Sequence, residues 1–194
     1  MKLHERATVD WESGTSLLGI DLQKTPNIAH TIAIIDMKCI TDVCVCRLMG
    51  AVYGTRNLYK LDLRGCGNIT NRSIIAIVQA VGDTVKWLGL ASCTEVSSQG
   101  LGILGEGCSR LDHLDLSWCK VDDWALLQIS NANEFNLKTI ILMGCTKITD
   151  DGLASLQLLR WTLLTVNITG CIHLTRPGID YLRSLLIWGH IVCG

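Results

Sequence analysis

The chain has 194 residues, of which 48% are hydrophobic, enough to bury a continuous core in one domain or one array of small repeats. Its 17 basic and 18 acidic residues nearly cancel to a formal net charge of −1, which excludes the strong basic field of a general nucleic-acid binder and leaves nothing to hold the chain on an anionic membrane. Charged or polar residues interrupt every apolar stretch well before the ~18 residues that a spanning helix needs, so the chain is expected not to cross a membrane.

Residues 1–30 read as an N-terminal segment and cap. Residues 1–14 carry His4, Glu5, Arg6, Asp10 and Glu12 with no apolar run, so they spell no secretory signal, and their acids make a poor transit peptide. Leu17, Ile20 and Leu22 are spaced for a capping strand, which Thr25-Pro26-Asn27 breaks. Residues 31–194 then read as a repeat domain of about six units. The first unit is the weakest: Ile32, Ile35 and Met37, then Cys39-Ile40-Thr41-Asp42 and a helix through Leu48, one turn residue short.

Five clear units follow, marked by Cys66, Cys93, Cys119, Cys145 and Cys171 at spacings of 27, 26, 26 and 26 residues. Before each cysteine stands the same apolar pattern: Leu58, Leu61 and Leu63; Val85, Leu88 and Leu90; Leu111, Leu114 and Leu116; Leu137, Ile140 and Leu142; Leu163, Val166 and Ile168. Each unit is thus L-x-x-L-x-L-x-x-C, whose closing alternation fits a short strand with one buried face. An apolar residue and a helix-capping residue come next: Ile69-Thr70, Val96-Ser97, Val121-Asp122, Ile148-Thr149 and Leu174-Thr175. Residues 74–81 and 153–159 behind two of these caps carry apolar side chains at helical spacing. A unit of strand, turn and helix cannot bury its own apolar face, so the units must stack. The expected fold is α/β, a leucine-rich-repeat solenoid: a right-handed horseshoe arc with parallel strands on the concave face and helices on the convex face.

Leu63-Arg64-Gly65-Cys66-Gly67-Asn68-Ile69-Thr70, Gly144-Cys145-Thr146-Lys147-Ile148-Thr149-Asp150-Asp151-Gly152-Leu153 and the run from Gly107-Cys108 to Ser117-Trp118-Cys119 resemble the cysteine-containing leucine-rich repeats of F-box proteins. The likeness covers about residues 30–185. It implies a non-enzymatic module that selects a substrate protein for a ubiquitin-ligase core, although residues 1–30 show no recognisable F-box. A strand ending in Ile20-Asp21, an irregular segment and then Ile35-Asp36-Met37-Lys38-Cys39 resemble, more briefly, the cap of mitochondrial repeat proteins related to ATP synthase coupling factor B. That likeness implies the alternative role, a structural or assembly subunit of a large complex such as a mitochondrial respiratory or ATP synthase complex.

The motifs that suggest chemistry have plainer structural readings. Gly100-Leu101-Gly102-Ile103-Leu104-Gly105 spells G-x-G-x-x-G, but a dinucleotide site would place it directly after a strand, whereas here Ser97 has already opened the helix. The glycines read as close-packing positions. The repeat cysteines stand one per turn with no histidine or second cysteine to complete a tetrahedron, and Cys44 and Cys46, two apart on a helix, face different ways. They read as buried, reduced thiols in a chain without a secretory signal. No metal, no cofactor and no catalytic residue is assigned: His113 has Asp112 and Asp115 nearby but no serine or cysteine nucleophile to activate.

The side chains between the apolar strand positions are expected to point out of the sheet. They include Asp36 and Lys38, then Lys60, Asp62 and Arg64, Trp87, His113, Asp115, Ser117 and Trp118, Thr139, Ile141 and Met143, and Thr165, Asn167 and Thr169. Tryptophan and arginine are the types that most often anchor interfaces. Lys60, Asp62, Arg64, Trp87, His113, Asp115, Trp118 and Met143 are therefore the expected partner-binding residues, with neither tryptophan in the apolar core of its repeat and Asp115 able to pair with His113. The expected partner is a protein in the concave groove, a ubiquitin-ligase core or a larger assembly being the kinds implied, and not nucleic acid. The expected location is cytoplasmic or nuclear, with mitochondrial as the alternative.

Overall fold

The inward positions of each repeat are branched aliphatics flanking a single outward residue, and that alternation makes a three-residue strand. The computed structural model of the chain describes residues 2–3, 30–54, 56–132, 136–186 and 189–193. Its strands are β1 (Lys2–Leu3), β2 (Thr31–Ile34), β3 (Lys60–Asp62), β4 (Trp87–Gly89), β5 (His113–Asp115), β6 (Thr139–Ile141), β7 (Thr165–Asn167) and β8 (His190–Val192). They form one parallel sheet in sequential order. Among the described residues six helices alternate with the strands from β2 on: α1 (Asp42–Val52), α2 (Asn71–Val81), α3 (Ser98–Gly107), α4 (Asp123–Asn131), α5 (Asp150–Ser155), continued by a 3-10 turn over Leu156–Leu159, and α6 (Arg176–Leu185). The result is the expected α/β solenoid, strands concave and helices convex. None of the described helices is long and apolar enough to cross a membrane.

The core is a continuous stack of repeat positions. Leu61, Leu88, Leu114, Ile140 and Val166 lie in register on adjacent strands and are fully buried, as are Leu63, Leu90 and Cys145. Each such side chain removed from water contributes about 1.5–3 kcal/mol. The stack can run on because every layer covers the apolar face of the one before it.

Turn geometry ties the layers together. The residue before each repeat cysteine takes the left-handed conformation: Gly65 (φ 77°), Ser92 (61°), Trp118 (60°), Gly144 (71°) and Gly170 (75°). Its N–H donates to the following repeat, as from Gly65 to the Ala91 carbonyl at 2.8 Å and from Trp118 to the Met143 carbonyl at 2.7 Å. The cysteine thiol donates the other way. Sγ of Cys66, Cys93, Cys119, Cys145 and Cys171 reach the carbonyls of Ile34, Leu63, Leu90, Leu116 and Leu142 at 3.0–3.4 Å.

This pattern corrects the first unit. Ile32 pairs with Leu61, and Asp36, at φ 58°, holds the place of Gly65. Met37, buried, thus takes the cysteine position while Cys39 is exposed. Ile40 then donates to the Met37 carbonyl as Ile69 does to Cys66, so no turn residue is missing. The concave positions of this layer are Thr31 and Ala33, in register with Lys60 and Asp62, rather than Asp36 and Lys38. The expected capping strand at Leu17, Ile20 and Leu22 lies outside the described residues, and β1 is what pairs with β2.

A second ladder runs along the helix N-termini. Thr70, Asp122, Thr149 and Thr175 cap their helices by accepting backbone N–H bonds. Ser97 stands at a cap position but makes no such bond; its N–H and hydroxyl are held by the Asn71 amide at 2.9 and 2.7 Å. The first helical residue thus reaches across to the cap of the next repeat. Asp42 accepts from Thr70 N and Oγ1 and from Ser73 N and Oγ, Asp123 accepts from Thr149 N and Oγ1, and Asp150 from Thr175 N and Oγ1. The room for this reach comes from a small residue three past the cap. A Cβ on Gly100 would stand 2.3 Å from Asn71 Oδ1, and one on Gly152 would stand 2.2 Å from Asp123 Oδ1. Gly100 and its neighbours in the G-x-G-x-x-G run are thus inside α3, serving helix packing.

Candidate functional site

On the concave face the outward positions line up in rows set by the strand register. Lys60, Trp87, His113 and Thr139 form one row, and Asp62, Gly89, Asp115 and Ile141 the next. The residues two further along, Arg64, Ala91, Ser117 and Met143, continue each repeat toward its turn.

Trp87 is the centre of the first row. The Lys60 ammonium sits 3.9 Å from its ring centroid, and the His113 imidazole stacks at 5.1 Å with an interplanar angle of 14°. Lys60 comes from the strand on one side and His113 from the strand on the other, so both faces of the indole are occupied. The ring leans over Gly89, where an added Cβ would come within 2.7 Å of it. Burial holds the His113 pKa below its usual 6.5; Asp115 and Asp112 pull it up and Lys60 pushes it further down.

Asp62 and Asp115 depart from the sequence expectation. Both were placed among the outward positions, yet both carboxylates are buried. Arg64 lies back over Asp62 in a fork, Nε to Oδ1 and Nη2 to Oδ2 at 2.8 Å each. This bidentate pair holds the guanidinium, its pKa raised chiefly by that hydrogen bond, half-exposed above the carboxylate. Asp115 accepts from Ser117 N at 3.0 Å and Ser117 Oγ at 2.6 Å, not from His113. Asn167 repeats the device two repeats on, accepting from Thr169 N at 3.0 Å. Since Ser117 donates directly to Asp115, its hydroxyl is not hydrogen-bonded to the imidazole that a nucleophile would need as base.

Trp118 is 57% exposed, with its indole over Gly144, where an added Cβ would lie 2.3 Å from Cε3. A bulky residue at φ 60° is a backbone outlier, costing about 1–3 kcal/mol against a glycine at the same place. Four of the eight expected residues therefore share one presented surface: Lys60, Arg64, Trp87 and His113. Trp118 and the half-buried Met143 flank it toward β6, while Asp62 and Asp115 lie beneath. Sequence reading missed three members at the edge of this surface. Tyr59 stacks on His30 at 5.3 Å, and the Lys86 ammonium stands 5.9 Å from the Tyr59 ring. The signal was there, in the residue following the first apolar position of each unit.

A parallel sheet in sequential order, a 26–27-residue period and a buried cysteine in the turns of the five clear repeats define a leucine-rich-repeat fold, and residues 134–156 match the family described as Leucine Rich repeat. The chain is 27% identical over 188 residues to the DNA repair protein rhp7 of Schizosaccharomyces pombe, with 87% of this chain and 33% of that protein covered. It therefore spans about a third of the length of this curated relative. Among solved structures it is similar to a chain of the Rad7 and Elc1 complex of yeast, with a TM-score of 0.53 at 16% identity over 72% of this chain and 42% of that one. It is similar also to leiomodin-1 actin-binding site 2 (TM-score 0.56, 13% identity, 89% of each chain) and to the tropomodulin C-terminal domain of Caenorhabditis elegans (0.53, 12%, 86% and 87%). At these identities the structural likeness is one of fold. The likeness to ATP synthase coupling factor B gains no support from these proteins.

Proposed function

We propose that this chain is a non-enzymatic protein-binding module, serving as the substrate-recognition or adaptor repeats of a larger assembly, with its partner seated on the concave face. The observation that carries the reading is the presented patch of Lys60, Arg64, Trp87 and His113, flanked by Trp118: aromatic and arginine side chains of the kind that anchor interfaces, on a rigid sheet. The relatives support it. Rad7 was crystallised with Elc1, and the leiomodin-1 structure is described as an actin-binding site. The resemblance to F-box repeats makes a ubiquitin-ligase core the leading assembly, and the similarity to a DNA repair protein favours a nuclear setting over a cytoplasmic one. With a net charge of −1, the partner is protein rather than DNA itself.

The test is an affinity pull-down read by mass spectrometry, with the wild-type chain and a Trp87→Ala/Trp118→Ala variant as parallel baits. Ubiquitin-ligase subunits recovered by the first and lost by the second would support the reading. Equal recovery by both would move the interface to the helices or the sheet edges.

A further inference from the structure

The charges of the concave face are sorted by depth. Those that reach outward at its β3–β5 end are the cations Lys60, Arg64 and Lys86, while the acids Asp62 and Asp115 are buried and already bonded within the chain. Two further acids lie near these cations among the described residues: Asp112, 4.0 Å from Lys138, itself a further cation on the same edge, and the exposed Asp36, which acts on Arg64 from the turn of the layer before it. The charges that stand outermost at this end are therefore mostly cationic, because two of the four carboxylates lie buried beneath them, in a chain whose total charge is −1. Toward β6 the same rows turn neutral and apolar, with Thr139, Ile141 and Met143 partly exposed.

The relief of the face matches its charge. Gly89, Ala91 and Ser117 are buried and small, so the middle of the sheet is low. On one side stands the ridge of Lys60, Trp87 and His113, and on the other Arg64 and Trp118. From β3 to β6 is three strand spacings, about 14 Å, which an extended segment of about four or five residues would cross. We infer that the occupant of this lane is an extended acidic segment of a partner protein, its carboxylates over Lys60, Arg64 and Lys86 and an aliphatic residue beyond them over Ile141 and Met143. The inference rests on the concave-face reading proposed above and names the chemistry of the partner.

A single-stranded nucleic acid is the competing occupant for a face of aromatics and cations, since bases stack on open rings. Here Trp118, 57% exposed over Gly144, offers a face, but one platform does not stack a run of bases, and the other two large rings are not open. Trp87 is flanked by Lys60 and His113, and Tyr59 by His30 and Lys86, so only their edges are presented.

The test is selection of peptides from a random library of about twelve residues displayed on phage, with the immobilised chain as target, followed by fluorescence polarisation of the selected peptides. Enrichment of Asp and Glu beside Leu, Ile or Val is expected. Their affinity should fall by about tenfold or more on Lys60→Glu/Lys86→Glu, a change confined to partly exposed side chains, and should fall with added salt. Neutral or basic sequences that bind wild type but not Trp87→Ala/Trp118→Ala would overturn the acidic assignment and leave the concave site standing. Sequences that bind the double tryptophan variant unchanged would count against the site as well. Failure to select any peptide, or displacement of the selected one by an oligothymidine of about twelve nucleotides, would overturn an extended protein segment as the occupant. Circular dichroism of each variant separates loss of binding from loss of fold.

Discussion

At the scale of single residues, the repeat cysteines behave as small hydrophobes that each add one hydrogen bond. Burial pushes the thiols of Cys66 and Cys119 up to about 11 and those of Cys108 and Cys145 up to about 12. They stay protonated and inert at neutral pH, because the thiolate is the reactive form. Iodoacetamide should therefore label the exposed Cys39, Cys46 and Cys193 in the native chain and reach Cys66, Cys93, Cys108, Cys119, Cys145 and Cys171 only with denaturant, as peptide mapping would show. Labelling of the latter group in the native state would refute the buried-thiol role. Cys145→Ala removes the thiol donor to the Leu116 carbonyl and leaves a small void, and should cost about 1–3 kcal/mol by urea denaturation. His113 gives a pH dependence. Its folded pKa is depressed, so the unfolded chain takes up the proton first as pH falls. The stability it contributes is present above about pH 6.5 and is lost as pH drops through the lower folded value. Denaturation midpoints of wild type and His113→Gln, followed from pH 7.5 to 5, should converge toward the acid end; parallel curves would show that the ring titrates freely.

At the scale of elements, the carboxylate ladder explains why acidic residues open the convex helices. Asp123 serves the cap of α5, not its own helix. Asp123→Ala should cost about 1–2 kcal/mol, and Thr149→Val should cost less in that background than in wild type, since it then loses only its own cap bond from Asp151 N–H. Additive losses in that double-mutant cycle would show that the two do not interact. Helix ends also set a limit that propensity does not foresee. Alanine in place of glycine normally favours a helix by about 0.5–1 kcal/mol. At Gly82, though, a Cβ would lie 2.2 Å from the Gly107 carbonyl oxygen of the next helix, and backbone cannot swing away as a side chain can. Gly82→Ala should therefore lower the melting temperature despite its better propensity, and a rise would mean that α2 and α3 can separate at no cost.

At the scale of the whole molecule, each layer contacts its neighbours through the sheet, the thiol bonds and the cap ladder, so damage in the middle is felt at both interfaces of a layer. Trp87→Ala/Trp118→Ala removes a half-buried stacked indole and an exposed one, with no fully buried core side chain among them. It should cost about 1–2 kcal/mol of stability, chiefly from the Lys60 and His113 contacts of Trp87, while weakening partner binding by several kcal/mol. Collapse of the fold in thermal melts would place these side chains in the core.

Much of this architecture is legible in the chain itself. The period, the buried strand positions of the five clear repeats, four of their five side-chain caps and the core place of the repeat cysteines follow from alternation and spacing within a single unit, because they answer to forces that act over a few residues. What only the stacked structure decides depends on neighbours one layer away. Met37 rather than Cys39 fills the first cysteine position because pairing of Ile32 with Leu61 sets the phase of that layer. Asp62 and Asp115 share a strand parity with outward residues, yet Arg64 and Ser117 lie back over them and take them from solvent. Trp87 has its faces covered by side chains from the two flanking strands, contacts that no pattern within its own repeat encodes. Alternation determines which way a side chain leaves the sheet, and the reach of its neighbours determines whether a partner can meet it.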